Sequence, residues 1–265
     1  MLIDAGIGPR AILPRLAIAG ISLGEVRSIC LTHLDTDHFR PAWLKTIADR
    51  GIALWCHESC VRQILRMDRR HREKTPAYAH LLHGFDGQAF SPLEGLSVDA
   101  LHFAHDDEGT HGFVIAGHGC RLGYATDLGR VTDELIERFC ELDVLAIESN
   151  YDPEMQRTSG RPRFLQQRIT GGRGHLSNGQ CFDAVRRILD RDEALGTLPR
   201  HVVLLHRSQQ CNCPTLVRDL FHRDPRLPAR LVLADQQHPT PWMSATRQTE
   251  DFPVNLFKMP AMASR

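Results

Sequence analysis

The segment Thr32-His33-Leu34-Asp35-Thr36-Asp37-His38 places four potential metal ligands within six residues, directly after the apolar run that ends at Leu31. A solvated turn has little use for two imidazoles and two carboxylates so close together. In a tight strand-to-helix connection alternate residues share a side, so His33 and Asp35 can aim at one centre while Asp37 and His38 face another. Two adjacent cations would suit that arrangement. Three later strand ends add acceptors: His105-Asp106 after Phe103, Asp127 after Leu122–Thr126, and His206 after Val202–Leu205. Imidazoles and carboxylates together suit Zn, Mn or Fe. A capping Asp or a surface His explains any one of these positions, but not all of them in this order.

Ligands at strand ends require strands, and the chain supplies short apolar, β-branched runs alternating with helical patterns. Strands are expected at Leu2–Asp4, Val26–Thr32, Ile52–His57, Leu96–Phe103, Gly112–Ala116, Arg121–Thr126, Asp143–Glu148, His201–His206 and Ala229–Leu233. Helices are expected at Arg40–Ala48, Glu58–Met67, Asp133–Cys140, Gly179–Asp190 and Thr215–Phe221. The 265 residues are 42% hydrophobic and 24% charged, a composition that excludes a disordered or fibrous chain and allows one large core. Lys+Arg and Asp+Glu are both 32, so attraction to nucleic acid must come from a local patch. Eight scattered Cys form no disulfide framework, and Cys211-Asn212-Cys213 alone is a weak metal signal, so reduced, packed thiols are expected. The apolar stretch at 11–21 is too short to span a membrane, which points to a cytoplasmic protein. A single domain over 1–235, which the resemblance described below makes a hydrolase domain, and an irregular tail over 236–265 complete the division.

These residues resemble the metallo-β-lactamase fold, whose signature loop H-x-H-x-D-H precedes a distant His, a bridging Asp and a last His. The matching positions are His33, Asp35, Asp37, His38, His105, Asp127 and His206. Within that superfamily the likeness is to YycJ/WalJ-type hydrolases, through Leu2–Gly6, His105-Asp106, Ala125–Gly129, Glu148–Asp152, Gly174–Asn178 and the segment from His206 to Pro214. The resemblance implies an αββα sandwich. It also implies a dinuclear site, with His33, Asp35 and His105 on one divalent ion, Asp37, His38 and His206 on the other, and Asp127 between them. Asp4 would orient a ligand His. Ribonuclease Z, of the same fold, places a Glu at a strand end and a His in a later G-H-x-T/S motif as a proton-relay pair; Glu148 and His175 match them.

Two features depart from the family pattern. Asp35 stands where the family usually has His, which favours harder cations such as Mn or Fe. The chain also opens directly on Leu2–Gly6, so the sheet is expected to lack the N-terminal strand pair of its relatives. For substrate, Arg161, Arg163, Arg168 and Arg173 flank His175, and Arg168 and Arg173 are candidate phosphate ligands. A basic run at 61–74 is a further candidate approach for phosphates. The expected activity is therefore metal-dependent hydrolysis of a phosphodiester, with Asp37, Glu148 and His175 taking part and nucleic acid or a small diester as substrate. The alternatives are a carbonyl-ester or lactone hydrolase of the same fold and a catalytically impaired paralogue that binds nucleic acid or a partner protein.

Overall fold

The computed structural model describes residues 1–67 and 75–245. One sheet holds β1 (Leu2–Ile3), β2 (Ser28–Cys30), β3 (Ala53–His57) and β4 (Leu82–Phe85), in that order and all parallel. The second holds β5 (Leu96–Phe103), β6 (Thr110–Gly117), β7 (Cys120–Ala125), β8 (Val144–Glu148), β9 (His201–Leu205) and β10 (Leu231–Leu233), in the order β10-β9-β8-β7-β6-β5. Only β6 runs against its neighbours, so β5, β7, β8, β9 and β10 all point the same way.

Side-chain alternation decides what each sheet face meets. In the first sheet Ile29, Leu54 and Cys56 pack under helices α1 (Leu13–Ile18), α2 (Trp43–Arg50) and α3 (Glu58–Met67), through Leu16, Trp43, Ile47 and Ile64. Their neighbours Cys30 and Trp55 point the other way, into a cluster with Phe85, Val98 and Phe113 that joins the two sheets. In the second sheet Leu145, Ile147, Val202 and Leu204 pack against α4 (Asp133–Arg138), α7 (Asn178–Leu195) and α8 (Pro214–Phe221). The layers run helix, sheet, sheet, helix, as the αββα expectation has it. Two further helices, α5 (Pro153–Thr158) and α6 (Arg163–Thr170), lie between β8 and α7.

Several boundaries differ from the sequence expectation. β2 is shorter than Val26–Thr32 because Thr32 leaves the ladder: its N–H donates to the Asp4 carboxylate at 2.8 Å. α7 is longer than Gly179–Asp190, held by a Ser177/Gln180 capping box at one end and by left-handed Gly196 at the other. β4 has too little alternation to announce itself, and α1, α5 and α6 are too short to show a clear period. α5 nevertheless had a start signal, since Asp152 caps it and Pro153 is its first residue. Residues 68–74 of the basic run and 246–265 of the tail lie outside the described residues; 236–245 form no helix or strand. Among the described residues no helix is long and apolar enough to cross a membrane. Cys30, Cys56, Cys60, Cys181 and Cys211 are buried free thiols, and burial pushes Cys30 up to about 12.

Candidate metal centre

Parallel strands deliver their last residues to a common edge, and there the candidate ligands meet. Asp4 follows β1, His33–His38 follow β2, His105 follows β5, Asp127 follows β7, Glu148 ends β8 and His206 follows β9. The chain leaves these strands sharply, with φ of 61° at Asp4, 42° at Asp106, 55° at Asp127 and 53° at His206. Left-handed backbone costs a non-glycine residue of order 1 kcal/mol or more, so its concentration here marks a place where side-chain direction outweighs local comfort. Gly6 has a related role. A Cβ there would fall 1.5 Å from the carbonyl oxygen of Asp37, so the ligand loop can lie against the exit of β1 only over a glycine.

Each imidazole is gripped through Nδ1. His38 donates to Asp4 Oδ2 at 2.8 Å. His33 donates to Thr32 Oγ1 at 2.9 Å, and that hydroxyl lies 3.0 Å from both Asp4 oxygens, so one carboxylate steadies two rings. His105 donates to the carbonyl of Gly174 at 3.0 Å. His175 and His206 share Glu148 Oε1, at 2.8 and 3.1 Å, while Glu148 Oε2 accepts from the N–H groups of Leu128 and Leu176 at 2.7 and 3.3 Å. With Nδ1 occupied, Nε2 is the nitrogen left for a ligand, the arrangement that outer-shell acceptors impose on metal-bound histidines.

The donors fall into groups within 4.8 Å: His33, Asp35 and His105; Asp37, His38 and His206; and Asp127 joined to His33 and His38 and also, with Glu148, to the Nδ1 sides of His175 and His206. Within them His33 Nε2 is 3.7 Å from Asp35 and His206 Nε2 is 3.5 Å from Asp37, and between them His105 Nε2 is 3.8 Å from Asp127. Two ligands on a tetrahedral ion with bonds near 2.1 Å lie about 3.4 Å apart, so this spacing suits a shared cation. The Nε2 atoms of His33 and His38 are buried without a hydrogen-bond partner, although His38 Nε2 is 2.9 Å from Asp127 Oδ2. Orphaned buried nitrogens facing carboxylates fit a divalent cation better than they fit each other.

The electrostatics agree with a site built for positive charge. Burial opposes ionisation of Asp127, but His206 and His38 hold its carboxyl well below the usual range. Burial also opposes the proton on His38, and the Asp127 and Asp4 carboxylates overcome it, raising the ring to about 10. His206 bonding brings Asp37 down to about 2. His33 goes the other way, lowered by burial and by His38.

Asp4 was expected behind a ligand histidine and sits behind His38. Glu148 was expected to hold His175 and holds His206 as well. Thr32, the Gly174 carbonyl and Asn150, whose amide donates to the His206 carbonyl at 2.7 Å, escaped the sequence reading, since none is a ligand type. Arg168 and Arg173 sit beside the site, but Arg168 makes a two-point ion pair with Asp106 and Arg173 lies 3.8 Å from Asp107. Arg161, which lines a cavity with Asp127, His175 and His206, has no carboxylate partner among the described residues, its guanidinium bonded to the side-chain oxygens of Gln210 and Gln156.

A family model described as a β-lactamase superfamily domain matches residues 1–206. The exodeoxyribonuclease WalJ of Streptococcus pneumoniae is 25% identical over 231 residues, 84% of this chain and 77% of that one. The exodeoxyribonuclease YycJ of Bacillus anthracis is 23% identical over 82% of this chain and 78% of its own. Among solved structures, Zn(2+)-bound PqqB from Methylobacterium extorquens superposes with a TM-score of 0.61 at 20% identity, covering 89% of this chain and 79% of that one.

Proposed function

This chain belongs to the β-lactamase superfamily domain family, and from that premise we propose that it is a metal-dependent phosphodiesterase acting on nucleic acid. The observation that carries the reading is the Glu148–His175 pair: a fully buried carboxylate 2.8 Å from an imidazole whose ring reaches within 3.4 Å of Asp127, between the two ligand groups. Carbonyl-ester hydrolysis has less need of a separate proton donor than departure of an alkoxide from phosphorus. DNA is the first polymer to test, because the relatives matched over more than four-fifths of the chain are named exodeoxyribonucleases.

His33, Asp35 and His105 would hold one divalent ion, Asp37, His38 and His206 the other, and Asp127 would lie between them. When bound, the ions would activate water near neutral pH and neutralise charge building on the phosphodiester oxygens. Zn, Mn and Fe all suit the donors, with Asp35 favouring the harder ions. Asp4 fixes the direction of His38 and, through Thr32, of His33. Glu148 keeps the Nδ1 proton of His175 in place, so Nε2 is the atom that hands a proton to the departing oxygen. Arg161, held by neutral amides, offers its charge to the phosphate in the central cavity.

The test is hydrolysis of bis(p-nitrophenyl) phosphate and of a labelled DNA oligonucleotide by the metal-stripped chain, titrated with Mn²⁺ and with Zn²⁺. Restoration by either ion is expected; hydrolysis equally fast in excess chelator, or none with any ion, contradicts the reading.

A further inference from the structure

Three cavities join end to end across the site. The central one, about 440 Å³, shares Asp35, His105 and Arg168 with a cavity of about 870 Å³ on one side. It shares Asp37 and His206 with a cavity of about 580 Å³ on the other. Each is of the size that binds small ligands or a nucleotide unit. Their charges differ. The larger arm is lined by Asp35, Asp106, Asp107 and Glu108 against Arg168 and Arg173, both of which face carboxylates of the same loop. Among the described residues, a polyanion entering there would meet more negative charge than positive.

The smaller arm is lined by Arg15, Arg40 and Arg207. Arg15 donates to the carbonyl of Ala11 at 3.1 Å and Arg40 to that of Gly6 at 2.6 Å, and among the described residues neither has a carboxylate partner. Arg207 is anchored on the carbonyl of Ala234 at 2.9 Å, with Asp235 at 3.7 Å. The carboxylates of this arm have other tasks: Asp4 holds Thr32 and His38, Asp37 faces His38 and His206, and Asp235 accepts from the N–H groups of Gln237 and His238. At Arg15 and Arg40 backbone carbonyls aim the guanidiniums without neutralising them, which leaves their remaining N–H groups for phosphate oxygens.

Resting on the phosphodiesterase reading, we propose that the polynucleotide leaves the metal centre through the Arg15–Arg40–Arg207 arm, which binds the backbone phosphates next to the scissile one. The Asp106–Glu108 arm takes no phosphate chain. Binding energy for a polymer is then concentrated on one side of the cleavage point, an arrangement suited to a substrate held by one end.

The experiment compares wild type with Arg15→Gln/Arg40→Gln, Arg15→Lys/Arg40→Lys and Arg168→Gln/Arg173→Gln. Binding of a fluorescent single-stranded DNA decamer to the metal-free full chain is read by anisotropy across a salt series. Each phosphate contact adds about 0.7 to the slope of log affinity against log salt for a single strand, so the Arg15/Arg40 Gln pair should flatten it by about 1.4. The Lys pair should keep most of the slope, and the Arg168/Arg173 pair should lose less than half as much. With the metal-loaded enzyme, loss of kcat/KM for the Arg15/Arg40 Gln pair should be at least tenfold greater for the oligonucleotide than for bis(p-nitrophenyl) phosphate. An unchanged slope in the Arg15/Arg40 Gln pair, equal losses in the Gln and Lys pairs, or a larger loss in the Arg168/Arg173 pair overturns the proposal. DNA binding by this arm without hydrolysis of any diester would sustain the arm and sink the phosphodiesterase reading. Diester hydrolysis with no binding of the decamer would do the reverse.

Discussion

Two histidine clusters lie side by side in this molecule, and only one is arranged for chemistry. His57, His102 and His111 come together with ring centroids 4.8 and 5.2 Å apart, spacings close to the 4.2 and 5.3 Å between His33, His38 and His105. The difference lies behind the rings. In the ligand cluster each Nδ1 is taken by a carboxylate, hydroxyl or carbonyl, leaving Nε2 free to converge with carboxylates. In the other, His57 leans on Ser59 at 2.8 Å and stacks flat on His111, whose Nδ1 reaches only a backbone carbonyl at 3.4 Å. Among the described residues no carboxylate forms a ligand group with that stack. Burial and the neighbouring His57 and His102 accordingly bring His111 down to about 4, whereas His38 is raised to about 10. Imidazoles at strand ends therefore announce a site only when acceptors orient them and carboxylates face them.

The largest effect that would break this contrast is at its shared carboxylate. Asp127→Ala should lower metal-dependent hydrolysis by more than about a hundredfold, beyond the usual cost of losing an outer-shell partner. Activity and bound metal per chain check it, and retention of both would place Asp127 with the stacked cluster rather than between ions. Asp4→Asn should weaken metal binding by about 10–100-fold, because the amide cannot accept from both Thr32 and His38 as the carboxylate does. Competition with a chromophoric chelator measures that change.

The smallest effect concerns the stack. With a folded value near 4 against an ordinary 6.5, His111 binds a proton more readily in the unfolded chain. Its contribution is full above about pH 6.5 and is lost as pH falls towards 4, by at most about 3 kcal/mol. His111→Phe should keep the ring contact with His57 and Phe85 and leave bound metal unchanged. It should also reduce the loss of denaturant stability between pH 6.5 and 4 relative to wild type; an equal loss in both would refute the assignment.

The candidate ligands were legible in the sequence because their spacing after apolar runs is a local pattern, and the structure brings them together at the strand ends. Mixed α/β layers were legible from short apolar runs such as β8 and β9 alternating with helical patterns, while the αββα order came from the family resemblance. What held the rings was harder to see. Thr32 and the Gly174 carbonyl act through hydrogen bonds that sequence cannot pair, and Gly174 is 69 residues from the His105 it steadies. The partners of the arginines were hidden for the same reason: Arg168 flanks His175 in sequence, and 62 residues away Asp106 pairs with its guanidinium. Arg15 and Arg40 belong to no motif, although Arg40 follows His38 by only two residues, and the arm they line lies where Gly6 packs against Asp37. β4 and the short helices α1, α5 and α6 lack the length over which a period can be read.

The central claim is that His33, Asp35 and His105 form one cation position and Asp37, His38 and His206 another, with Asp127 between. Calorimetric titration of the metal-stripped chain with Mn²⁺, and separately with Zn²⁺, tests it most directly. Two ions per chain are expected, with loss of one in Asp37→Ala while His111→Phe keeps both. Binding of one ion or none by the wild-type chain, or two ions in Asp37→Ala with undiminished affinity, would contradict it.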